Sequence, residues 1–169
     1  ITSVDVHQTL TGLPNGLYKV SAELITQNNY ATDQHVYATG VTTTESDYLT
    51  VAGWDTYEWT TLTTNDFAIV IDGTLTIGAA ASIGGTNSEG WFQATNFKLY
   101  YYGPASNEHL QGAWESLKAE AEEAVDVLIP NEEKAVAAAL TEAGQLAGDG
   151  NYIDACGLLR PVLAVWDST

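Results

Sequence analysis

Basic residues are scarce in this chain of 169 residues: five Lys and Arg stand against 22 Asp and Glu, a formal net charge of −17. Recognition of a phosphate backbone needs clustered Lys and Arg, and anionic lipid surfaces attract basic segments. Nucleic acid and membrane are therefore excluded as expected partners. The acidity itself reads as a solubility device, with adaptation to a cation-rich exterior as the alternative. Cysteine is nearly absent too. Cys156 stands alone, so no internal disulfide can form. Its neighbours Ala155, Leu158 and Leu159 mark it as a buried helix residue rather than a nucleophile. A disulfide-free extracellular chain fits a bacterial surface better than an animal secretory route. No apolar run approaches the ~20 residues that a membrane-spanning helix needs, and no basic segment with a small-residue cleavage site opens the chain. The sequence begins in the approach to a strand and reads as a mature or excised piece of a longer protein.

What is present falls into two halves with different periods. Residues 1–103 alternate in the manner of strands, rich in Thr, Val, Ile and Tyr and punctuated by turn residues. Along Ser3–Leu10, Val4, Val6, Gln8 and Leu10 share one face. Leu17–Gln27 places Tyr18, Val20, Ala22 and Leu24 on one face, with Lys19, Ser21 and Glu23 opposite. Further strands are expected at His35–Val41, Tyr48–Val51, Tyr57–Thr63, Phe67–Ile71, Leu75–Ala79 and Trp91–Tyr102. Asp72-Gly73 is the strongest local turn signal and predicts a two-residue hairpin. No helix-length crossover separates these eight strands, so the pairing should be antiparallel. Eight short strands bury themselves best as two packed sheets, a jelly-roll-like sandwich.

After Gly103-Pro104 the period lengthens. Leu110, Trp114, Leu117, Ala121, Ala124 and Leu128 fall on one helix face, with Ser106 or Asn107 as its cap. Pro130 ends that helix. Ala135, Ala139, Ala143 and Leu146 form the stripe of a second, which Gly148-Asp149-Gly150 breaks. Tyr152, Ala155, Leu159, Val162 and Trp166 line a third, which Pro161 should kink. The fold class predicted is mainly β: an antiparallel two-sheet sandwich over 1–103, followed by a three-helix bundle over 104–169.

Catalytic and metal signals are thin. His7, His35 and His109 have no metal-ligand spacing, no nucleophile motif accompanies them, and they read as solvent-facing. The stretch 149–154 faintly resembles a calcium loop, yet Gln145, Ala147 and Cys156 would fall on key ligand positions and cannot serve. No cofactor is expected, and a structural calcium on loop carbonyls of the sandwich is the single metal expectation. Loop acids such as Asp33, Glu45, Asp47, Asp55, Glu58 and Glu89 are candidates for a small hydrolase, but glycosidase chemistry needs two carboxyls set across a cleft and spacing alone does not supply that. The chain is expected not to be an enzyme.

The aromatics carry more information. Fourteen of the seventeen lie in residues 1–103. Tyr18, Phe67 and Phe97 have the alternation of core residues. Others sit among polar loop residues: Tyr30 beside Asn28, Asn29, Asp33 and Gln34; Trp54 and Tyr57 in Gly53-Trp54-Asp55-Thr56-Tyr57; Trp91 after Glu89-Gly90. A sugar presents an apolar C–H face and a rim of hydroxyls, which an exposed ring flanked by amides and carboxylates would meet. Tyr30, Trp54, Tyr57 and Trp91 are the predicted stacking residues. Asn28, Asn29, Asp33, Gln34 and Glu89 are the predicted hydrogen-bonding ones.

Three stretches, Val6–Val20, Asp72–Gly78 and Gly90–Gly103, together resemble a galactose-binding-like β-sandwich common in surface and secreted proteins of gut and rumen Bacteroidetes. In that family the sandwich is similar to carbohydrate-binding modules and is often followed by FIVAR-like helical segments. The resemblance covers about residues 3–103. It implies a non-catalytic polysaccharide- or oligosaccharide-binding module, extracellular or on a bacterial cell surface, covalently linked to further modules such as a glycoside hydrolase. Two departures stand out: Thr95 replaces the Asp that the family usually carries before Asn-Phe-Lys-Leu, and the family's first strand, with its early Trp, has no counterpart ahead of Ile1. The rival expectation is a structural spacer or protein-interaction module without sugar affinity.

Overall fold

A computed structural model describes residues 2–26, 31–50, 58–83, 91–128 and 130–167. The chain divides into two compact units, Ile1–Gly103 and Pro104–Thr169. Among the described residues strand makes up 40% and helix 36%, so the class is mixed rather than mainly β.

Among the described residues the first unit holds eight strands: β1 (Thr2–Leu10), β2 (Gly16–Thr26), β3 (Ala31–Thr39), β4 (Thr43–Glu45), β5 (Thr60–Thr63), β6 (Ala68–Val70), β7 (Leu75–Ile83) and β8 (Phe92–Tyr101). All pairs are antiparallel. One sheet runs β1-β7-β3-β4. In the other, β5 and β6 follow each other along one side of β2, and β8 lies along its other side. The sheets share one core. Tyr18, Val20, Ala22 and Leu24 from β2 and Ala68 and Val70 from β6 meet Val36 and Ala38 from β3 and Leu75, Ile77 and Ala79 from β7. These are the alternate positions that the period of two selects, and burying each large apolar side chain is worth about 1.5–3 kcal/mol.

Three local expectations are corrected. The Asp72-Gly73 turn is not a hairpin, because β6 and β7 belong to different sheets. Gly73 takes φ +74, Asp72 accepts from the Thr74 N–H, and the Gly73 carbonyl accepts from Leu13 N–H at 3.0 Å. The turn thus carries the chain across the core. Residues 48–50 are not strand; the short fourth strand is Thr43–Glu45. Phe67 is not in the shared core: it packs edge-on to Tyr102 at 5.0 Å, with the Lys19 ammonium over its ring.

Two bulges keep the apolar faces inward. In β8 the half-buried residues are Phe92 and Ala94, then Phe97 and Leu99, so the parity changes between Thr95 and Asn96. There Asn96 adopts φ +53, and the register on β2 skips between Ser21 and Glu23. In β3 the parity changes between Ala31 and Gln34, with Asp33 at φ +57 and a register skip on β7 between Thr32 and His35. Each extra residue re-aims the strand beyond it, and Asn and Asp tolerate the left-handed backbone better than other non-glycine residues.

The second unit packs α1 (Asn107–Val125), α2 (Pro130–Gly148) and α3 (Tyr152–Asp167) pairwise against one another. Ser106 caps α1, its hydroxyl accepting from the His109 N–H. The buried stripe of α1 is the predicted one from Leu110 to Ala124 with Ala113 added, whereas Leu128 lies past the end of the helix and is only half-buried. On α2 the buried residues are Val136, Ala143 and Ala147; of the predicted stripe Ala143 is buried, Ala139 and Leu146 are half-buried and Ala135 is exposed. Pro130 opens α2, where a missing N–H costs nothing. Pro161 lies inside α3 without ending it. Cys156 is fully buried, and desolvation pushes its thiol up to about 11 against the weaker pull of Arg160. It is inert at neutral pH.

Replacing Asn96 with Val should cost about 1–2 kcal/mol, because a β-branched residue resists positive φ. Asn96→Gly should be close to neutral. Urea midpoints of the two variants check this; equal losses would remove the bulge argument.

Candidate functional site

Strand pairing gathers one end of the sandwich. Thr2 and Ala31 both pair with Ile83, Thr26 pairs with Phe92, and Leu24 pairs with Thr60. The described residues that flank 27–30, 51–57 and 84–90 therefore lie at this same end. Of the predicted site residues, Asn28, Asn29, Tyr30, Trp54, Tyr57 and Glu89 lie outside the described residues. Asp33, Gln34 and Trp91 lie within them.

Asp33 is exposed on the β3 bulge, and its carbonyl accepts from His35 Nδ1 at 2.7 Å. Gln34 turns inward, 1% exposed, where its Nε2 donates to the Ala31 carbonyl at 2.7 Å. The extra residue of the bulge puts this side chain on the core face, so it braces the strand. Trp91 is half-buried beside Val4, Val6, Ile83, Phe92 and Ala94 on the open edge of the sandwich. Its carbonyl accepts from Thr26 Oγ1 at 2.8 Å.

A polar and aromatic patch spreads from this end over the outer face of the β1-β7-β3-β4 sheet. The ring of Tyr48 is 53% exposed and stands 5.3 Å from that of His35. His35 is nested rather than solvent-facing, its side chain only 14% exposed. With Nδ1 donating to Asp33, its Nε2 faces the Glu45 carboxylate at 3.5 Å. The next outward residue of β3, Tyr37, crosses β7 and donates to Asp5 Oδ1 on β1 at 2.7 Å. Asp5 Oδ2 lies 3.1 Å from His7 Nδ1. Tyr37 can lie across the sheet only because β7 has Gly78 beneath it. A Cβ there would come within 2.7 Å of the Tyr37 ring, its hydroxyl and the Val6 carbonyl oxygen. Burial, then the hydrogen bond and charge of Asp5, push the Tyr37 phenol well above its ordinary value.

Exposed rings occur at the other end too. Tyr100 and Tyr101 end β8 and Tyr102 follows it, packed against Phe67. Their neighbours supply Lys19 and backbone groups, whereas Tyr48 has an imidazole and a carboxylate beside it. Trp59, 47% exposed, immediately precedes β5 at the Tyr48 end of the strands.

No family model, curated protein or solved structure matches this chain. Among the described residues no group of three or more His, Cys, Asp or Glu gathers to hold a metal ion, and no helix is long and apolar enough to cross a membrane. The patch can therefore be read only from its chemistry, which among the described residues is a flat ring face, a ring nitrogen, carboxylates and hydroxyls.

The sequence missed the Asp5–Tyr37–His35–Glu45–Tyr48 group as a unit. A signal was present in β3, where His35, Tyr37 and Thr39 alternate against Val36 and Ala38. Cross-strand partners come from register, which the sequence does not print.

The raised Tyr37 phenol has a consequence for stability. An unfolded tyrosine ionises near pH 10, while the folded phenol stays neutral to higher pH, so its contribution is complete below pH ~10 and is lost as pH rises further. Tyr18 acts in the same direction through burial and then Tyr101. Tyr37→Phe should weaken, without abolishing, the fall of the thermal midpoint above pH ~10. An unchanged alkaline slope would contradict this account.

Proposed function

We propose that the sandwich unit is a non-catalytic carbohydrate-binding module of a secreted or cell-surface multimodular protein, galactose-binding-like and jelly-roll-like in plan, that holds polysaccharide at the Tyr48 end. The observation that carries this reading is the exposed Tyr48 ring set beside His35, Glu45 and Asp33, at the end where the strands flanking 27–30, 51–57 and 84–90 meet. An aromatic face of this kind packs on the apolar face of a pyranose, while charged and amide groups beside it bond the hydroxyl rim. Carboxylate acceptors make such bonds stronger than neutral ones, and the imidazole adds a further ring-nitrogen partner. Asp33, Tyr48 and Trp59 are the described residues assigned to the surface, with Tyr30, Trp54, Tyr57, Asn28, Asn29 and Glu89 retained from the sequence. Gln34 is left out because its side chain is buried, where its Nε2 donates to the Ala31 carbonyl. Trp91 is assigned to the edge of the sandwich rather than to the ring platform. The acidic charge favours neutral glycans over sulfated or uronic ones, since like charges repel.

Affinity electrophoresis of the whole chain through gels containing xylan, mixed-linkage glucan, galactan or galactomannan tests the reading. Retardation by at least one neutral glycan is expected. Tyr48→Ala should weaken it about tenfold, the equivalent of ~1.4 kcal/mol, while Tyr102→Ala at the opposite end should leave it unchanged. Free migration through every gel by a protein with intact circular dichroism would favour the structural spacer instead.

A further inference from the structure

The two long edges of the sandwich differ. On the β4 side the sheets are stitched together: Asn65 N–H donates to the Glu45 carbonyl at 2.9 Å, and Val41 N–H to the Ile69 carbonyl at 2.8 Å. On the β1 side, among the described residues, no hydrogen bond joins β1 to β8, and each is the last strand of its sheet. The core opens to solvent between them. Val6, an inward residue of β1, is 58% exposed, and Phe92, Ala94 and Phe97 of β8 are only half-buried. Two hollows lie in this gap. One of about 290 Å³ is lined by Val4, Val6, Ile83, Trp91, Phe92 and Ala94. The other, of about 210 Å³, is lined by Val6, His7, Gln8, Ile77 and Phe97.

We infer that this edge accepts an extended peptide segment that adds to β1 as a further strand and seats alternate apolar side chains in the two hollows. Three observations specify that occupant. First, β1 pairs with β7 over nine consecutive residues without a register skip, so its other side presents a regular row of backbone donors and acceptors, the template that strand addition uses. The β8 edge is interrupted by the Asn96 bulge and is the poorer template. Second, the hollows follow one another along β1, one at Val4–Val6 and one at Val6–Gln8. That is the spacing of side chains at i and i+2 on one face of a strand, about 7 Å; a globular or helical partner would not match it. Third, the sandwich unit carries ten acidic residues against Lys19 and Lys98, and Asp5 lies on β1 itself. The segment's outward positions are therefore basic or neutral. The groups facing the gap otherwise are apolar, apart from His7 and Gln8.

The test uses the full chain and a synthetic acetylated nonapeptide with valine at alternate positions and lysine or threonine between. Backbone hydrogen exchange is followed with and without about 1 mM peptide, a concentration suited to weak strand addition. Amides within Val4–Gln8 should slow about tenfold, and those of β8 should not. Val6→Glu, at an exposed position that leaves the fold intact, should abolish the protection, with an unchanged thermal midpoint confirming the fold. As a second variant, Phe97→Ala should weaken binding through the smaller hollow alone. Four results would overturn the inference: no protection of β1, protection confined to β8, equal protection by the same peptide with a central proline, or a dimer of the chain alone that already shields β1 in sedimentation and exchange.

Discussion

The inward side chains of β2 face those of β3 and β7 across a single apolar layer, and the other features of the unit follow from keeping it so. A strand has a strict period of two, so any stretch whose apolar residues change parity must gain a residue or expose half of them. β8 and β3 each gain one, at Asn96 and Asp33. The turn after β6 obeys the same demand. Asp72 and Gly73 carry the chain from one sheet to the other because Ala68 and Val70 on one side and Leu75 and Ile77 on the other must all meet in the middle. Buried polar groups in this layer are satisfied locally: Thr64 accepts from Val20 N–H, Ser46 from Val36 N–H, and Gln34 donates to Ala31.

The outer face of the β1-β7-β3-β4 sheet is organised from the same backbone. Bulging β3 at Asp33 fixes which residues beyond it look outward, and these are His35, Tyr37 and Thr39. Gly78 gives the Tyr37 ring room, Asp5 anchors its hydroxyl, and the backbone of the bulge holds the His35 tautomer. Only Tyr48 in this group presents most of a ring to solvent. The face is pre-organised, and pre-organisation is what lets a shallow surface bind without a large ordering cost.

Much of the architecture was legible because periodicity is a local property. The alternation along Ser3–Leu10 and Leu17–Gln27, and the spacing four and three from Leu110 to Ala124, lead to strand and helix without tertiary knowledge. Sheet membership is not local. Asp72-Gly73 has the chemistry of a hairpin turn, yet which sheet receives Leu75 depends on partners some seventy residues away in β1. The alanine-rich second helix keeps Ala143 of its expected stripe but buries Val136 in place of Ala135 for a related reason: in a run such as Val136-Ala137-Ala138-Ala139 composition hardly distinguishes the faces, and packing chooses Val136. In the candidate site, the aromatic and amide content of the connecting segments was visible, but the inward turn of Gln34 was hidden because it follows from the bulge. The partnership of Tyr37 with Asp5 was hidden as well, because it crosses an intervening strand.

The pairing of Tyr18 with Tyr101, and of Thr2 with Ile83, joins parts of the chain that are far apart in sequence. Closing such long loops delays any reward in contact energy, and domains built this way assemble in milliseconds to seconds, whereas helical bundles of local contacts form in microseconds to milliseconds. The two units of this polypeptide should therefore acquire structure on separate clocks, the C-terminal helices first. Until β7 and β8 reach their places, β2 and β3 have no complete sheets to join, and the strands are then most vulnerable to pairing with the wrong neighbour.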